Sequence, residues 1–307
     1  MEKISFILHG KIRGRKTVKS TLISRFSVDY DVRFYETAHP RHAEKLTSQA
    51  LTDGCDYLIA VGGDGTLNEV VNAFLKDGGM ANHKVVLGVL PYGTGNDFAR
   101  GLGITRDVDQ ISELIKGKKI SFLDAGSMEF RLPDGTVNTR YFDNIADLGI
   151  GADVVLRVNG VNLRKKILGG TLTFFLSVLA TFMSYKPKRI RVSWDGFDWE
   201  GKVLSLVVAN GRYFGSGLGV APEASMTDGL FDIVIFADLS ILDYLKNYSR
   251  VRNLKKVNHP EAFYYRANRL SIEPAGNLTI VEADGEIEGQ APIVFTCLPG
   301  ALPFLVP

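Results

Sequence analysis

The chain has 307 residues, 45% of them hydrophobic, and its 36 basic and 34 acidic side chains leave a net charge of +2. That length and apolar content build one large core or two smaller ones and exclude a disordered chain, and the near-balanced charge excludes the global positive field of a polyanion binder, so no nucleic-acid partner is expected. Cys55 and Cys297 lack CxxC spacing and the five histidines form no ligand cluster, which excludes a disulfide framework and a structural zinc site and fits a reducing cytosol.

The N-terminal "MEKISFILHG" is apolar only over "ISFIL" and lacks the long apolar core and cleavage site of a signal peptide, so it reads as a buried first strand. With "DVRFY", "DYLIAV" and "KVVLGVL" it forms a series of strand-like runs separated by amphipathic segments, the pattern of a parallel α/β sheet. The loop after the first run, "GKIRGRKT", fails the G-x-x-x-x-G-K-[ST] spacing of a P-loop. His9, Gly10 and Lys11 nevertheless end a strand and could cover a neighbouring crevice, although Lys11 reads equally well as a solvated surface lysine.

After "DYLIAV" comes "VGGDGTLNEVV", Val61 to Val71. Gly62 and Gly63 carry no Cβ, so the backbone can turn sharply and approach a bound group, and the amides opening the next helix would face an anion. Leu67, Val70, Val71, Phe74 and Leu75 make one apolar stripe on that helix, which Gly78 and Gly79 are expected to end. Thr66 and Glu69 have capping-box spacing, so a purely structural role competes with a ligand role for both. Asp64 beside a phosphate is unfavourable by charge alone and becomes useful if Mg²⁺ bridges the two.

A second loop, "PYGTGNDFAR" from Pro91 to Arg100, follows the next strand in the same way. Two such loops at successive strand ends fit one ligand crevice.

From about Ser121 the chain changes to long strand-like stretches separated by turn residues, which predicts a second, mostly antiparallel β domain. Ile167 to Tyr185 is too short and too polar for a transmembrane span. Its basic flanks, "LRKK" and "KPKRIR", could hold a helix against an anionic membrane, but we read it as a core helix between solvated charges. Two acidic turns follow, "APEASMTDGLFDI" with Asp228 and "VEADGEIEG" with Asp284, Gly285 and Glu286. Taken alone, the first could supply one carboxylate to a hard cation and the second is a hairpin turn.

Together, "VGGDGTLNEVVNA", "LPYGTGNDFAR" and "ADGE", in this order, resemble the bacterial diacylglycerol-kinase-like lipid kinases, relatives of the diacylglycerol, sphingosine and ceramide kinases. The likeness runs from Lys3 to Pro307. It implies an α/β nucleotide-binding domain of NAD-kinase type over residues 1–125, completed by 295–307, and a mostly antiparallel β-sandwich lipid domain over 126–294, the two enclosing a cleft. It implies ATP contacts at His9, Gly10, Lys11, Thr37, Gly62, Gly63, Asp64, Gly65, Thr66, Leu67, Asn68 and Thr94. Asp64, Asp97 and Asp124 would support a Mg²⁺ and phosphate network, with Glu286 of the "DGE" motif as general base beside Asp284. Asp228, with main-chain groups of Ser225 and Leu230, would hold a structural Mg²⁺. His9 stands where the family usually has asparagine, and Arg41 where it has glycine.

The implied reaction is Mg²⁺-dependent phosphorylation of a hydroxyl of diacylglycerol or a related lipid, by a cytoplasmic protein touching the inner membrane face. The rival readings are an NAD kinase, which shares a GGDGT-type loop, and a non-catalytic lipid carrier. Exposed sheet edges in the second domain could pair two subunits.

Overall fold

In the computed structural model the apolar run "ISFIL" lies in β1 (Lys3–Leu8), buried at five of six positions, and α1 (Arg15–Phe26) follows. The chain continues through β2 (Asp31–Glu36), α2 (His42–Thr52), β3 (Tyr57–Gly62), α3 (Asp64–Lys76) and β4 (Val86–Pro91). β3 and β4 are buried along their whole length, as central strands of a parallel sheet covered on both faces must be. β1 pairs in parallel with β2 and β3, and β3 with β4. The short α4 (Asp97–Leu102) and the amphipathic α5 (Val108–Lys116) complete this region. Its core gathers Phe6, Ile59, Val61 and Leu90 from the strands with Leu22, Phe26 and Ile115 from the helices.

Residues 1–76, 84–132, 134–160, 170–276 and 279–307 are described. They divide into a unit of Met1–Leu123 with Gly300–Pro307 and a unit of Asp124–Pro299. α3 carries the expected stripe, with Leu67, Val70, Val71, Phe74 and Leu75 all buried. Gly78 and Gly79, expected to end that helix, lie outside the described residues.

The second part of the chain runs through β5 (Ile120–Arg131), β6 (Val137–Phe142), β7 (Ile145–Gly149), α6 (Ile150–Gly160), α7 (Gly170–Phe182), β8 (Lys188–Trp194), β9 (Phe197–Val203), β10 (Ser205–Ala209) and β11 (Phe231–Phe236). It ends with α8 (Ile241–Arg252), β12 (Ala262–Ala267), β13 (Arg269–Pro274), β14 (Ile280–Ala283), β15 (Glu286–Gln290) and β16 (Ile293–Leu305). One sheet of the second unit has the order β12-β11-β10-β7-β14-β15 and is antiparallel throughout. In the other, β16, β13, β8 and β9 are neighbours and β5 and β6 join through β16. Leu148, Leu206, Val208 and Ile233 of the first sheet and Val192, Leu270, Ile272 and Phe295 of the second fill one apolar core, so this unit is a β-sandwich. The last residues of β16 belong to the first unit, where Phe304 pairs in parallel with Leu87 of β4.

The outer face of the six-stranded sheet carries helices. Ile150 and Val154 of α6 pack with Val178 of α7 and Leu204, and Phe182 and Tyr244 close the cluster with ring centroids 5.5 Å apart. Of the segment Ile167 to Tyr185, residues 167–169 lie outside the described residues, as does the flank "LRKK"; Gly170–Phe182 is α7. No helix among the described residues is long and apolar enough to cross a membrane.

Candidate active site

The two glycine loops of the first unit abut. Tyr92 N–H donates to the Gly62 carbonyl at 2.7 Å, and Thr66 and Leu67 N–H donate to the Gly63 carbonyl at 3.0 and 3.1 Å. A Cβ on Gly93 would stand 2.4 Å from the Gly63 Cα, closer than any side chain can approach backbone, so the contact requires glycine. Asn96, with φ 52°, holds the second loop by accepting from Gly93 N–H at 2.9 Å and donating to the Gly93 carbonyl at 3.0 Å. At Gly65 a Cβ would meet nothing within 4 Å, so the start of α3 is open on that side.

Asp64 joins the loops by a second route: its carboxylate accepts from Phe98 N–H at 3.4 Å. Burial raises its pKa, and the amides of Phe98, Asn96 and Asp97 work against that rise. Asp97 is buried, with the Arg100 guanidinium 3.5 Å from its Oδ1. Thr94 is exposed on the same turn, whereas the side chains of Leu67 and Asn68 are buried in α3.

The ends of β1 and β2 meet beside each other. Gly10 N–H donates to Thr37 Oγ1 at 3.0 Å, and a Cβ on Gly10 would fall 2.0 Å from the Thr37 carbonyl oxygen. His9 Nδ1 accepts from Lys11 N–H at 3.4 Å, and burial lowers the imidazole pKa. This brings His9, Gly10, Lys11 and Thr37 together at one end of the parallel sheet.

The Thr66–Glu69 capping box, one of the two readings that the spacing allows, does not form. Glu69 instead accepts from the backbone N–H groups of Arg41 at 2.9 Å and Ala43 at 2.8 Å, so its carboxylate satisfies the open amides of α2 rather than those of α3. Gly63 supplies the carbonyl that starts α3, which leaves no place for the box. Arg41 precedes α2 with φ 61°, a left-handed conformation that favours glycine, and this explains on physical grounds why glycine suits that position.

In the second unit the "ADGE" turn is held by backbone hydrogen bonds. The Asp284 carboxylate accepts from three backbone N–H groups, Asp143 at 2.9 Å, Asn144 at 3.2 Å and Ile145 at 2.9 Å. Asp284 and Gly285 take φ 49° and 86° in the β14–β15 hairpin, and Glu286 follows as an exposed residue at the start of β15. The hairpin reading of "DG" therefore holds, and Asp284 carries a clear structural load.

Asp124 is drawn to the other acidic turn. Its N–H donates to the Met226 carbonyl at 2.7 Å and its Oδ2 accepts from Gly229 N–H at 2.7 Å. The buried Asn210 Nδ2 donates to the carbonyls of both Asp124, at 2.9 Å, and Asp143, at 2.7 Å. Asp124, Asn210, Asp143 and Asp284 are thus linked in one network. Asp228 Oδ1 accepts from Leu230 N–H at 3.1 Å, and its other oxygen is paired with Arg266, which also lies 3.4 Å from Asp232. Ser225 lies on the same turn, its hydroxyl 3.3 Å from that of Thr227.

Two acids absent from the sequence-derived set belong to this region. Glu282 Oε2 accepts from Gly285 N–H at 2.8 Å, bracing the turn that presents Glu286. Opposite it on β7 lies Asp147, whose carboxyl oxygens lie 2.9 and 3.1 Å from the Ser205 hydroxyl and which also accepts from the backbone of Gly151. Both are buried. The signal available in the sequence was a lone glutamate within the apolar run "TIVEA" and a lone aspartate within "IADLGI".

Fold and site together describe a nucleotide-type α/β unit and an acid-bearing β-sandwich, the two-part organisation of the kinases built on the diacylglycerol kinase catalytic domain. The diacylglycerol kinase catalytic domain model matches residues 4–128, and the YegS C-terminal NAD kinase beta sandwich-like domain model matches residues 144–306. A "Probable lipid kinase YegS-like" protein of Pseudomonas aeruginosa strain UCBPP-PA14 is 33% identical over 98% of this chain and 93% of its own. A "Diacylglycerol kinase" of Bacillus subtilis strain 168 is 27% identical over 95% and 92%. The crystal structure of a diacylglycerol kinase from Bacillus anthracis str. Sterne superposes with a TM-score of 0.70 at 18% identity, covering 100% of this chain and 97% of that one. Yeast NADH kinase shares the fold, with a TM-score of 0.57 at 10% identity and coverage of 99% and 82%. The chain belongs to the YegS-like and diacylglycerol-kinase family of bacterial lipid kinases.

Proposed function

We propose that this protein transfers the γ-phosphoryl group of ATP to a hydroxyl of diacylglycerol or a closely related lipid. The observation that carries the reading is the exposed Glu286 on a turn whose preceding aspartate is fixed by three backbone amides. Such a turn positions a base without itself moving. In this reading Glu286 takes the proton of the lipid hydroxyl as its oxygen bonds to the γ-phosphorus and ADP departs.

Nucleotide binding is assigned to the first unit. The Gly62–Gly65 turn and Thr66, Leu67 and Asn68 offer backbone amides at the start of α3, with Thr94 on the abutting loop and His9, Gly10, Lys11 and Thr37 at the neighbouring strand ends. Leu67 and Asn68 act through the main chain, since their side chains are buried. The open space at Gly65 is where a phosphate fits against the helix start.

Mg²⁺ is held in phosphotransferases by one or two carboxylates together with substrate phosphates, not by an all-protein cage. Among the described residues no group of three or more His, Cys, Asp or Glu side chains is placed to hold a metal ion by itself. Asp64, Asp97 and Asp124 are the carboxylates assigned to it; when bound, Mg²⁺ neutralises charge on the transferring phosphate. A structural Mg²⁺ at Ser225, Asp228 and Leu230 would have to exchange with the Arg266 guanidinium.

In this reading the protein works in the cytoplasm and makes peripheral contact with the inner membrane face, where its lipid substrate lies. β12 and β15 are the edges of the six-stranded sheet through which two subunits would pair. The NADH kinase fold likeness supports a second reading, with a nicotinamide nucleotide as acceptor. Incubation with γ-labelled ATP and, separately, diacylglycerol, total lipid extract or NAD distinguishes them. Label in an organic-soluble product supports the lipid reading; label only in NADP overturns it.

A further inference from the structure

α7 has an unusual distribution of polarity. Its buried stripe includes Ser177 and Thr181, 8% and 2% exposed, and the Thr181 hydroxyl is satisfied by the Ser177 carbonyl at 2.7 Å. Its outward stripe is Leu176, Leu179, Ala180 and, just past the last turn, Met183, at the i, i+3, i+4, i+7 spacing of one helix face. Leu176 and Met183 are 44% and 86% exposed. The inward face also buries Val178 and packs Phe182, yet water alone does not favour leaving Leu176 and Met183 outward while Ser177 and Thr181 are buried.

The adjoining helices repeat the feature. On α8, Leu242 and Leu245 are 62% and 45% exposed and share a face with Lys246, away from the buried Asn247 and Val251. Near the end of α6, Leu156 is 46% exposed beside Arg157. The three helices pack as one layer through Val154, Val178, Phe182 and Tyr244. Between that layer and the sheet lies a cavity of about 110 Å³ with largely apolar walls, well below the several hundred Å³ of a site that takes a whole lipid-sized ligand. The outward leucines, not the cavity, are therefore the primary contact.

The charges around the patch select its occupant. Arg157, Lys186, Lys188, Lys246 and Arg250 lie on or beside these helices. The acids there are Asp153, Asp238 and Asp243, and Asp243 is committed to the Ser240 capping box. Apolar side chains interspersed with cations match a bilayer bearing anionic headgroups.

We propose that the outward face of α6, α7 and α8 is the surface by which this protein docks on an anionic lipid bilayer, with Leu156, Leu176, Met183, Leu242 and Leu245 entering the headgroup boundary. The proposal deepens the lipid-kinase reading by assigning the face that meets the membrane. Its test involves no phosphoryl transfer, so either can fail without the other.

Co-sedimentation of the full chain with vesicles of phosphatidylcholine alone, and with phosphatidylglycerol added, tests it without ATP or acceptor lipid. The wild type partitions onto the phosphatidylglycerol vesicles and is partly released by salt. Met183→Ser/Leu242→Ser/Leu245→Ser lowers partitioning at least ~10-fold with an unchanged thermal midpoint. Lys186→Ala/Lys246→Ala removes much of the preference for phosphatidylglycerol. If the triple variant does not fold, Leu242→Gln alone must still lower partitioning. Wild-type protein that stays in the supernatant, or a folded serine variant that binds like wild type, overturns the proposal. So does unchanged vesicle binding with loss of self-association by light scattering, which would assign this face to a second copy of the chain.

Discussion

Asp147 on β7 and Glu282 on β14 stand directly opposite each other in the antiparallel register, and both are buried. Burial is the largest cause of their raised pKa values, and the nearby partner carboxyl adds to that of Glu282. Asp147 is pushed up to about 7 and Glu282 well above its ordinary value. Their protons belong to the pair, and full ionisation of both is disfavoured.

A pH dependence of stability follows. Between the unfolded carboxyl values, about 4, and the raised folded values, the folded state holds more protons than the unfolded chain. Stability therefore falls as pH rises through that window. Urea denaturation should show the contribution of Asp147 dropping on the order of 2 kcal/mol from about pH 5 to about pH 7, with Glu282 adding to the fall. Asp147→Asn and Glu282→Gln should each flatten that slope; an unaltered slope in both contradicts the assignment.

Gly93 tests the abutting loops. Gly93→Ala drives a methyl into the Gly63 backbone and should cost about 1–3 kcal/mol of stability while weakening ATP binding at least ~10-fold, read by calorimetry. Gly65→Ala meets open space in the protein. It should leave stability near wild type yet still weaken ATP binding, because that space is assigned to phosphate.

Asp284 separates scaffold from chemistry. Asp284→Ala leaves three backbone N–H groups without their acceptor and should destabilise the fold by about 3 kcal/mol or more. Asp284→Asn retains an acceptor and tolerates the left-handed backbone, so its loss should be smaller, about 1 kcal/mol. Thermal unfolding of the two variants checks the order.

Arg266 tests the proposed structural Mg²⁺. With the guanidinium paired to Asp228, added Mg²⁺ should raise the wild-type thermal midpoint little through this turn. Arg266→Gln should lower stability in chelator and restore more of it in Mg²⁺. Equal midpoints of the variant with and without Mg²⁺ would remove the metal from this turn.

The strands of the first unit were legible because "DYLIAV" and "KVVLGVL" are unbroken apolar runs that only a twice-covered sheet accommodates. The two glycine loops were legible as turns, but the Gly63–Gly93 contact that makes glycine obligatory depends on parallel registration of β3 with β4. The structural role of Glu69 was one of two open readings, but not its partners: the spacing to Thr66 is local, whereas the amides it serves lie 26 and 28 residues away at the start of α2. Asp147 and Glu282 could not be paired from sequence, since only the β7–β14 register makes them neighbours. On α7, hydropathy revealed an apolar segment but not which stripe faces out, and the structure places Ser177 and Thr181 inward.

Glu286→Gln is the most direct test of the central claim. The purified variant should bind ATP as tightly as wild type and unfold at the same temperature, because Glu286 is an exposed side chain outside the nucleotide unit. Phosphoryl transfer from γ-labelled ATP to diacylglycerol in mixed micelles should fall by about 10²-fold or more. Wild-type turnover by the folded variant would contradict the account.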